Sequence, residues 1–529
     1  MYPPFPSPAF WLKANPVPVP APIYQIPPWV ATSVICILAS IFLKFLTKKS
    51  NAVLVNAPNW FQPKILKQIE FIKHGKDIFS KGKEYYGNKG FMMVTNVGEL
   101  VTLPTEFANI IRNDERFSFA AAVQKDFHTH IPGFEPFDAV AYDGQVLQTL
   151  VRKQLTKYLN TVSQPLSSEA TFAVDLLFGQ NNDWREVRIK EPVLDLIARL
   201  SSRVFLGDEI CRNEEWLKIT KEYTLDGFRT AAVMSLVPGP LKRIFSWFSK
   251  DCRHLRREVV RARQIITPVI EKRRLLKVQA ERNGKDVPTF NDAIDWAEAE
   301  CGGKPYDAAV LQLTLSVAAI HTTTDLLCQT LLRLADDPSQ IQPLREEMIT
   351  VLKAEGWKKS ALYNMKLLDS AIKEAQRLKP LGMVGMRRIV TKDVELPGGL
   401  SIRKGERTCV DSTNMRNSAI YPDPYKYDIY RFQRMRDDPA TASKAQLVTT
   451  SPDHLAFGHG MHACPGRFFA ANETKIALCH LLLKYDWKLA PGTNVEPLVF
   501  GLQFNINPEN KLLYRRRKEE IDLESLEFI

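Results

Sequence analysis

From about residue 60 onward, apolar side chains recur every three to four positions through long stretches, the period of a helix with one buried face. The spacing predicts helices over 185–207, 252–280, 306–336, 365–379 and 465–484. Strand-like pieces are short. Residues 91–95 and 99–103 flank a Val97-Gly98 turn and predict a hairpin. A second β-like patch covers 388–402 and breaks at Pro397, Gly398 and Gly399. No internal repeat is visible. The pattern predicts one large, mainly α domain over 61–515 with small β-sheets, followed by a charged tail at 516–529.

The amino-terminal end is different material. Residues 1–28 hold ten of the 34 prolines and form no continuous helix. Trp29 then opens a nearly unbroken apolar run to Leu46, through Val34, Ile35, Leu38, Ile41 and Phe42. Eighteen residues at 1.5 Å per residue reach about 27 Å, enough for a thin bilayer. Lys48 and Lys49 follow the run and place the remainder on the cytosolic side by the positive-inside rule. Charges that follow the apolar run favour a signal anchor over a cleaved signal peptide or an interfacial helix. The expectation is a lumenal proline-rich tail at 1–28, one transmembrane helix at 29–46, and a linker at 47–60. No later segment reads as long and apolar enough to span.

Composition narrows the class. The 529 residues are 45% hydrophobic and 25% charged, which excludes disorder for most of the chain. A net charge of +12 fits an anionic membrane surface, an acidic partner or nucleic acid. The basic runs Arg253, Arg256, Arg257, Arg261, Arg263 and Arg515 to Lys518 read as a solvated helix face and a charged tail. No nucleic-acid motif accompanies them. Eight cysteines scatter from Cys36 to Cys479 without a short repeated spacing, against a disulfide scaffold or a Cys-rich zinc site. His128 and His130 lack companion ligands, so packing is the expected role.

The strongest chemical signal is Phe457-Gly458-His459-Gly460-Met461-His462-Ala463-Cys464-Pro465-Gly466. A cysteine between glycines and ahead of a helix suits a thiolate ligand to iron. The glycines permit positive φ and close approach to a flat macrocycle, and amides at the helix start stabilise the anionic sulfur. Glu374 and Arg377 share one helix face about 90 residues earlier. In the predicted helix 306–336, Ala318 and Ala319 leave room for a close neighbour, and His321, Thr322 and Thr323 follow. No Gly-x-Gly-x-x-Gly follows a strand, so the sequence gives no sign of a flavin or nicotinamide domain.

Together these motifs resemble the cytochrome P450 superfamily over roughly residues 60–515. Every fixed position of its Phe-x-x-Gly-x-(Arg/His)-x-Cys-x-Gly loop is matched by Phe457, Gly460, His462, Cys464 and Gly466. The resemblance implies the mainly α cytochrome P450 fold and haem b, iron protoporphyrin IX, with Cys464 as axial ligand of the metal. A cysteine thiolate pushes electron density onto iron and favours O–O cleavage. His462, Arg388 and, more weakly, Arg152 are implied propionate partners, although Gln148 replaces the aromatic residue expected four positions before Arg152. Glu374, Arg377 and Arg431 are implied as a fold-maintaining network, with Tyr421-Pro422-Asp423-Pro424 as the loop that precedes Arg431.

Thr322 is the implied oxygen-helix alcohol. Ala319 stands where the family usually has Gly and His321 where it has an acid, so His321 reads either as a proton relay or as a satisfied interior histidine. The loop 116–144, with Phe117, Phe119, Phe127, Phe134 and Phe137, reads as a substrate roof or as core packing.

The implied activity is a membrane-bound monooxygenase of the endoplasmic reticulum. It would take electrons from NADPH through cytochrome P450 reductase, with cytochrome b5 as a second donor. More narrowly the chain is similar to fungal secondary-metabolism oxidases, among them ent-kaurene oxidase-like, statin and indole-diterpene oxidases. A terpenoid, meroterpenoid or polyketide is the implied substrate. An isomerase or dehydratase on the same fold, and a non-catalytic haem-binding protein, remain open alternatives.

Overall fold

The computed structural model describes residues 50–138, 146–155 and 157–526, with Ser33 alone ahead of them. The chain divides into units 1–49 and 50–529. The expected lumenal tail, membrane span and first part of the linker lie outside the described residues.

Ala308–Asp336 is the helix around which the second unit is built. It starts where Asp307 accepts the Val310 amide at 3.0 Å, the usual relief for an unpaired first-turn N–H. Helices Lys190–Leu206, Glu214–Leu236, Lys250–Arg282, Lys366–Leu378 and Arg467–Lys484 pack against it. The 308–336 helix is long and apolar enough to cross a membrane, contrary to the expectation that no later segment is. Most of its side chains are buried in protein, however, which accounts for their apolar character.

The helices expected over 252–280, 306–336, 365–379 and 465–484 all form. The one expected over 185–207 starts later, because Arg185–Arg188 is a strand paired with Lys511–Arg516. Helix Lys366–Leu378 stops just ahead of Lys379-Pro380, since the proline ring disfavours helical geometry in the residue before it.

A six-stranded sheet flanks the helical body, in the order Val53–Leu54, Phe91–Thr95, Gly98–Leu103, Arg407–Asp411, Val384–Val390, Phe117–Ser118. Its hairpin pairs Thr95 with Gly98, so the turn is Asn96-Val97, one residue earlier than expected. Val53–Leu54 falls inside the expected linker but pairs with Phe91 and Met92, so the folded unit begins near residue 50.

The carboxyl end also differs from expectation. Arg516 and Arg517 donate to the carbonyls of Lys484 and Leu483, and Ile521 and Leu523 are buried. Residues 516–526 are therefore part of the folded unit and not a charged tail, because the arginines and the Arg517 amide satisfy carbonyls at the helix end.

Candidate active site

Cys464 sits where an extended loop turns into helix Arg467–Lys484. Its amide donates to the Phe457 carbonyl at 2.8 Å, closing the loop on itself. Gly460, at φ +77°, is required there: an added Cβ would lie 2.4 Å from Arg112 Cβ. Gly466 is different. Its φ of −85° suits any residue, and the nearest protein atom to an added Cβ is Val151 Cγ1 at 3.8 Å. Positive φ therefore explains Gly458 and Gly460 but not Gly466. Protein atoms make no demand for glycine at 466, whereas a flat group lying against the loop would. Burial pushes the Cys464 thiol up, and the Gly466 amide, the Arg467 charge and the Arg467 amide oppose that rise.

The loop is held by residues that sequence reasoning missed. Met461 N donates to the Arg112 carbonyl at 3.1 Å and to Asn113 Oδ1 at 3.0 Å. Arg467 bridges the Val448 carbonyl at 3.0 Å and the Cys464 carbonyl at 2.8 Å. Arg112 and Asn113 carry no local signal, since their partners lie about 350 residues away. Arg467 directly follows the motif, and that adjacency is the one signal that could have found it.

Arg388 is the most informative side chain beside the loop. It is only 3% exposed, yet among the described residues no carboxylate pairs with it. Burial alone drags its guanidinium down to about 10. Its recorded contacts are the Arg387 carbonyl at 2.7 Å and the Phe119 ring at 5.6 Å. His462 lies close to it: burial, then repulsion by Arg388 and Arg152, lowers the imidazole to about 4. Arg152 donates to the Met461 carbonyl from a π-helical turn, Leu150–Leu155. Three groups able to carry positive charge thus converge beside Cys464 with no protein anion. A buried cation left in that state is costly, and the carboxylates of a haem would relieve it. The donor set fits haem.

On helix Ala308–Asp336, Ala318 and Thr322 are exposed and Ala319 half-buried, although most of the helix is buried. One turn of its surface therefore opens onto space. Thr322 Oγ1 donates to the Ala318 carbonyl at 2.8 Å, which leaves its lone pairs free on the open side. His321 points elsewhere. Its Nε2 donates to the Lys221 carbonyl at 2.9 Å, tying this helix to Glu214–Leu236. Burial lowers its pKa, so the imidazole is neutral near pH 7. This is the geometry of a satisfied interior histidine.

Glu374, Arg377 and Arg431 come together as one buried cluster. Arg377 Nε and Arg431 Nε reach the Glu374 carboxylate at 2.7 and 2.9 Å. The two guanidiniums also donate to the carbonyls of Met415, Pro422, Asp423 and Pro424. The cluster thereby fixes the segment that leads toward the cysteine loop.

Phe117, Phe134 and Phe137 are core residues, and Phe137 stacks on Phe127 at 4.2 Å. Phe119 alone of the five touches the site, through His462 and Arg388. His128 contacts Ser235 and Lys242, and no metal-binding cluster exists among the described residues. Residues 139–144 of the loop lie outside the described residues, as does the Gln148 side chain.

Comparison with known proteins agrees with this geometry. Residues 113–514 match the family model described as Cytochrome P450. The chain is 43% identical over 495 residues to cytochrome P450 monooxygenase hepE of Aspergillus oryzae, covering 92% of this chain and 90% of that protein. It is 45% identical over 436 residues to cytochrome P450 monooxygenase 1 of Gibberella fujikuroi, covering 82% and 99%. Retinoic acid-bound cyanobacterial CYP120A1 superposes with a TM-score of 0.61 at 17% identity, covering 85% of this chain and 96% of that one, a likeness of fold. The chain belongs to the cytochrome P450 family and is a monooxygenase of the kind found in fungal secondary metabolism.

Proposed function

We propose that this enzyme uses dioxygen and NADPH electrons, delivered by a separate reductase, to hydroxylate or otherwise oxidise a hydrophobic secondary metabolite such as a terpenoid, meroterpenoid or polyketide. The observation that carries the reading is Arg388, a buried arginine without a carboxylate, set beside His462 two residues from Cys464.

Cys464 would bind the iron through its thiolate, and Arg388, His462 and Arg152 would pair with the propionates. When bound, haem supplies the redox chemistry that activates dioxygen for insertion of one oxygen atom into a C–H bond. The chain's own residues do the rest. Gly466 and Ala318 keep side-chain bulk away from the group, with Ala319 beside them. Thr322 would hold a proton at Oγ1 on the open face of its helix, available to the chemistry that haem would supply there. His321 acts as a positioning residue through Lys221. Glu374, Arg377 and Arg431 maintain the fold behind the site.

The groove beside the cysteine loop is lined by Arg152 and Arg467, a basic surface suited to an acidic reductase or to cytochrome b5. The apolar run 29–46 would anchor the enzyme in the endoplasmic reticulum membrane with its catalytic unit in the cytosol.

The first test is the carbon monoxide difference spectrum of the dithionite-reduced protein, wild type against Cys464→Ala. A strongly red-shifted Soret band that the variant lacks is expected; a haem spectrum without that shift withdraws the assignment. Product formation that needs neither NADPH nor dioxygen would instead mark an isomerase or dehydratase.

A further inference from the structure

Beside Arg388 lies a cavity of about 210 Å³ between the six-stranded sheet, helices Lys64–Tyr86 and Phe119–Phe127, and the turn 500–503. Its walls are largely apolar, with Phe71, Leu100, Phe500 and Leu502 among them. Its polar lining is unbalanced: Arg387, Arg388 and Arg407 face one carboxylate, Asp126. Asp126 is already engaged, since Arg407 Nε holds it at 2.8 Å. Arg388 serves the cofactor reading above. That leaves Arg387, half-buried, with no carboxylate partner among the described residues.

The backbone explains how two consecutive arginines come to line one cavity. Neighbours on a regular strand point to opposite faces. Here strand Val384–Val390 slips register against Arg407–Asp411 between Gly385 and Arg388, and Met386 takes a positive φ of 48°. A bulge of this kind re-aims side chains, and a left-handed conformation in a non-glycine residue is strained. The local potential is positive as well. Lys125 and Lys242 are both lowered, first by burial and then by repulsion from Arg407. A half-desolvated guanidinium beside apolar walls favours a ligand that brings both an anion and a hydrocarbon body.

We propose that this cavity is an arm of the substrate site in which Arg387 pairs with the carboxylate of an amphipathic acid. The proposal rests on the monooxygenase reading and names its substrate class: a hydrophobic metabolite bearing a carboxylic acid, bound by its ionised end at Arg387.

The test is calorimetric titration of the full-length, haem-loaded protein with decanoate and with methyl decanoate, for wild type and Arg387→Gln. Wild type should bind the acid at least tenfold more tightly than the ester. The variant should bring the two within about twofold while leaving ester affinity unchanged, and added salt should weaken only the acid. Equal binding of acid and ester by wild type, no binding of decanoate, or an acid preference that survives in Arg387→Gln would each overturn it. Loss of haem from Arg387→Gln would also overturn it by assigning Arg387 to the cofactor. The carbon monoxide spectrum separates the two failures: a normal spectrum with no acid preference sinks this inference alone, and an abnormal wild-type spectrum sinks the monooxygenase reading.

Discussion

The Glu374 carboxylate holds the Arg377 guanidinium through two hydrogen bonds, Nε to Oε2 at 2.7 Å and Nη2 to Oε1 at 2.8 Å, with neither side chain exposed. A fork of this geometry is strong only while both partners are present.

Arg377→Ala should therefore destabilise the protein by about 3–5 kcal/mol, because it leaves the buried Glu374 carboxylate with Arg431 alone and frees the Met415 and Pro424 carbonyls. Arg377→Lys should recover little, since an ammonium cannot form the paired contact. Chemical denaturation of both variants checks this. A loss below about 1 kcal/mol would mean that the cluster is not a structural keystone.

Glu473 offers a test in pH. It lies on the cysteine helix, fully buried, where its Oε1 accepts the Ser201 hydroxyl at 2.7 Å. Burial raises its pKa from 4.5 to about 8, against hydrogen bonds from Ser201 and Thr323. Between those values the folded state holds a proton that the unfolded chain has released. Stability from this group accordingly falls as pH rises through that window, at up to about 1.4 kcal/mol per pH unit. Glu473→Gln mimics the protonated form and should gain on wild type steadily from pH 5 to 8. Parallel melting curves across that range would refute the assignment.

His321 tests the relation between two helices. Its Nε2–H reaches the Lys221 carbonyl, so replacement by alanine should cost about 1–2 kcal/mol. Aspartate should cost more, because a buried carboxylate cannot donate to that carbonyl. The imidazole is neutral by burial, so its stabilising contribution is present above the ordinary histidine pKa of 6.5 and fades as pH falls below it. If unfolding places Asp at wild-type stability, the tie to Lys221 carries no weight.

What the sequence made legible follows from how local each signal is. Phe457 to Gly466 sits within ten residues, and Glu374 and Arg377 within four, so spacing and resemblance sufficed to single them out. The Val53–Leu54 strand, the packing of residues 516–526 and the start of helix Lys190–Leu206 were misread because each depends on a partner far away in the chain. Periodicity records which face of a segment is apolar, and nothing in it names the segment opposite. Arg387 shows the same limit. Its unusual position comes from a register slip against Arg407–Asp411, which leaves no trace in the identity of neighbouring residues.

Thr322 carries the sharpest functional expectation. Its hydroxyl is fixed by donation to Ala318 at 2.8 Å and stands on the accessible turn of an otherwise buried helix. Removing it leaves the helix intact, since alanine is the better helix former, but takes away the hydroxyl that the proposed function makes the proton donor on the open face. Thr322→Ala should thus keep its haem spectrum and continue to consume NADPH while hydrogen peroxide replaces product, lowering product per NADPH roughly tenfold. Thr322→Ser retains the hydroxyl and should restore most of that yield. Measuring NADPH, peroxide and product together separates this from simple damage, which would lower all three. Unchanged product per NADPH in Thr322→Ala would mean that proton delivery runs through other groups.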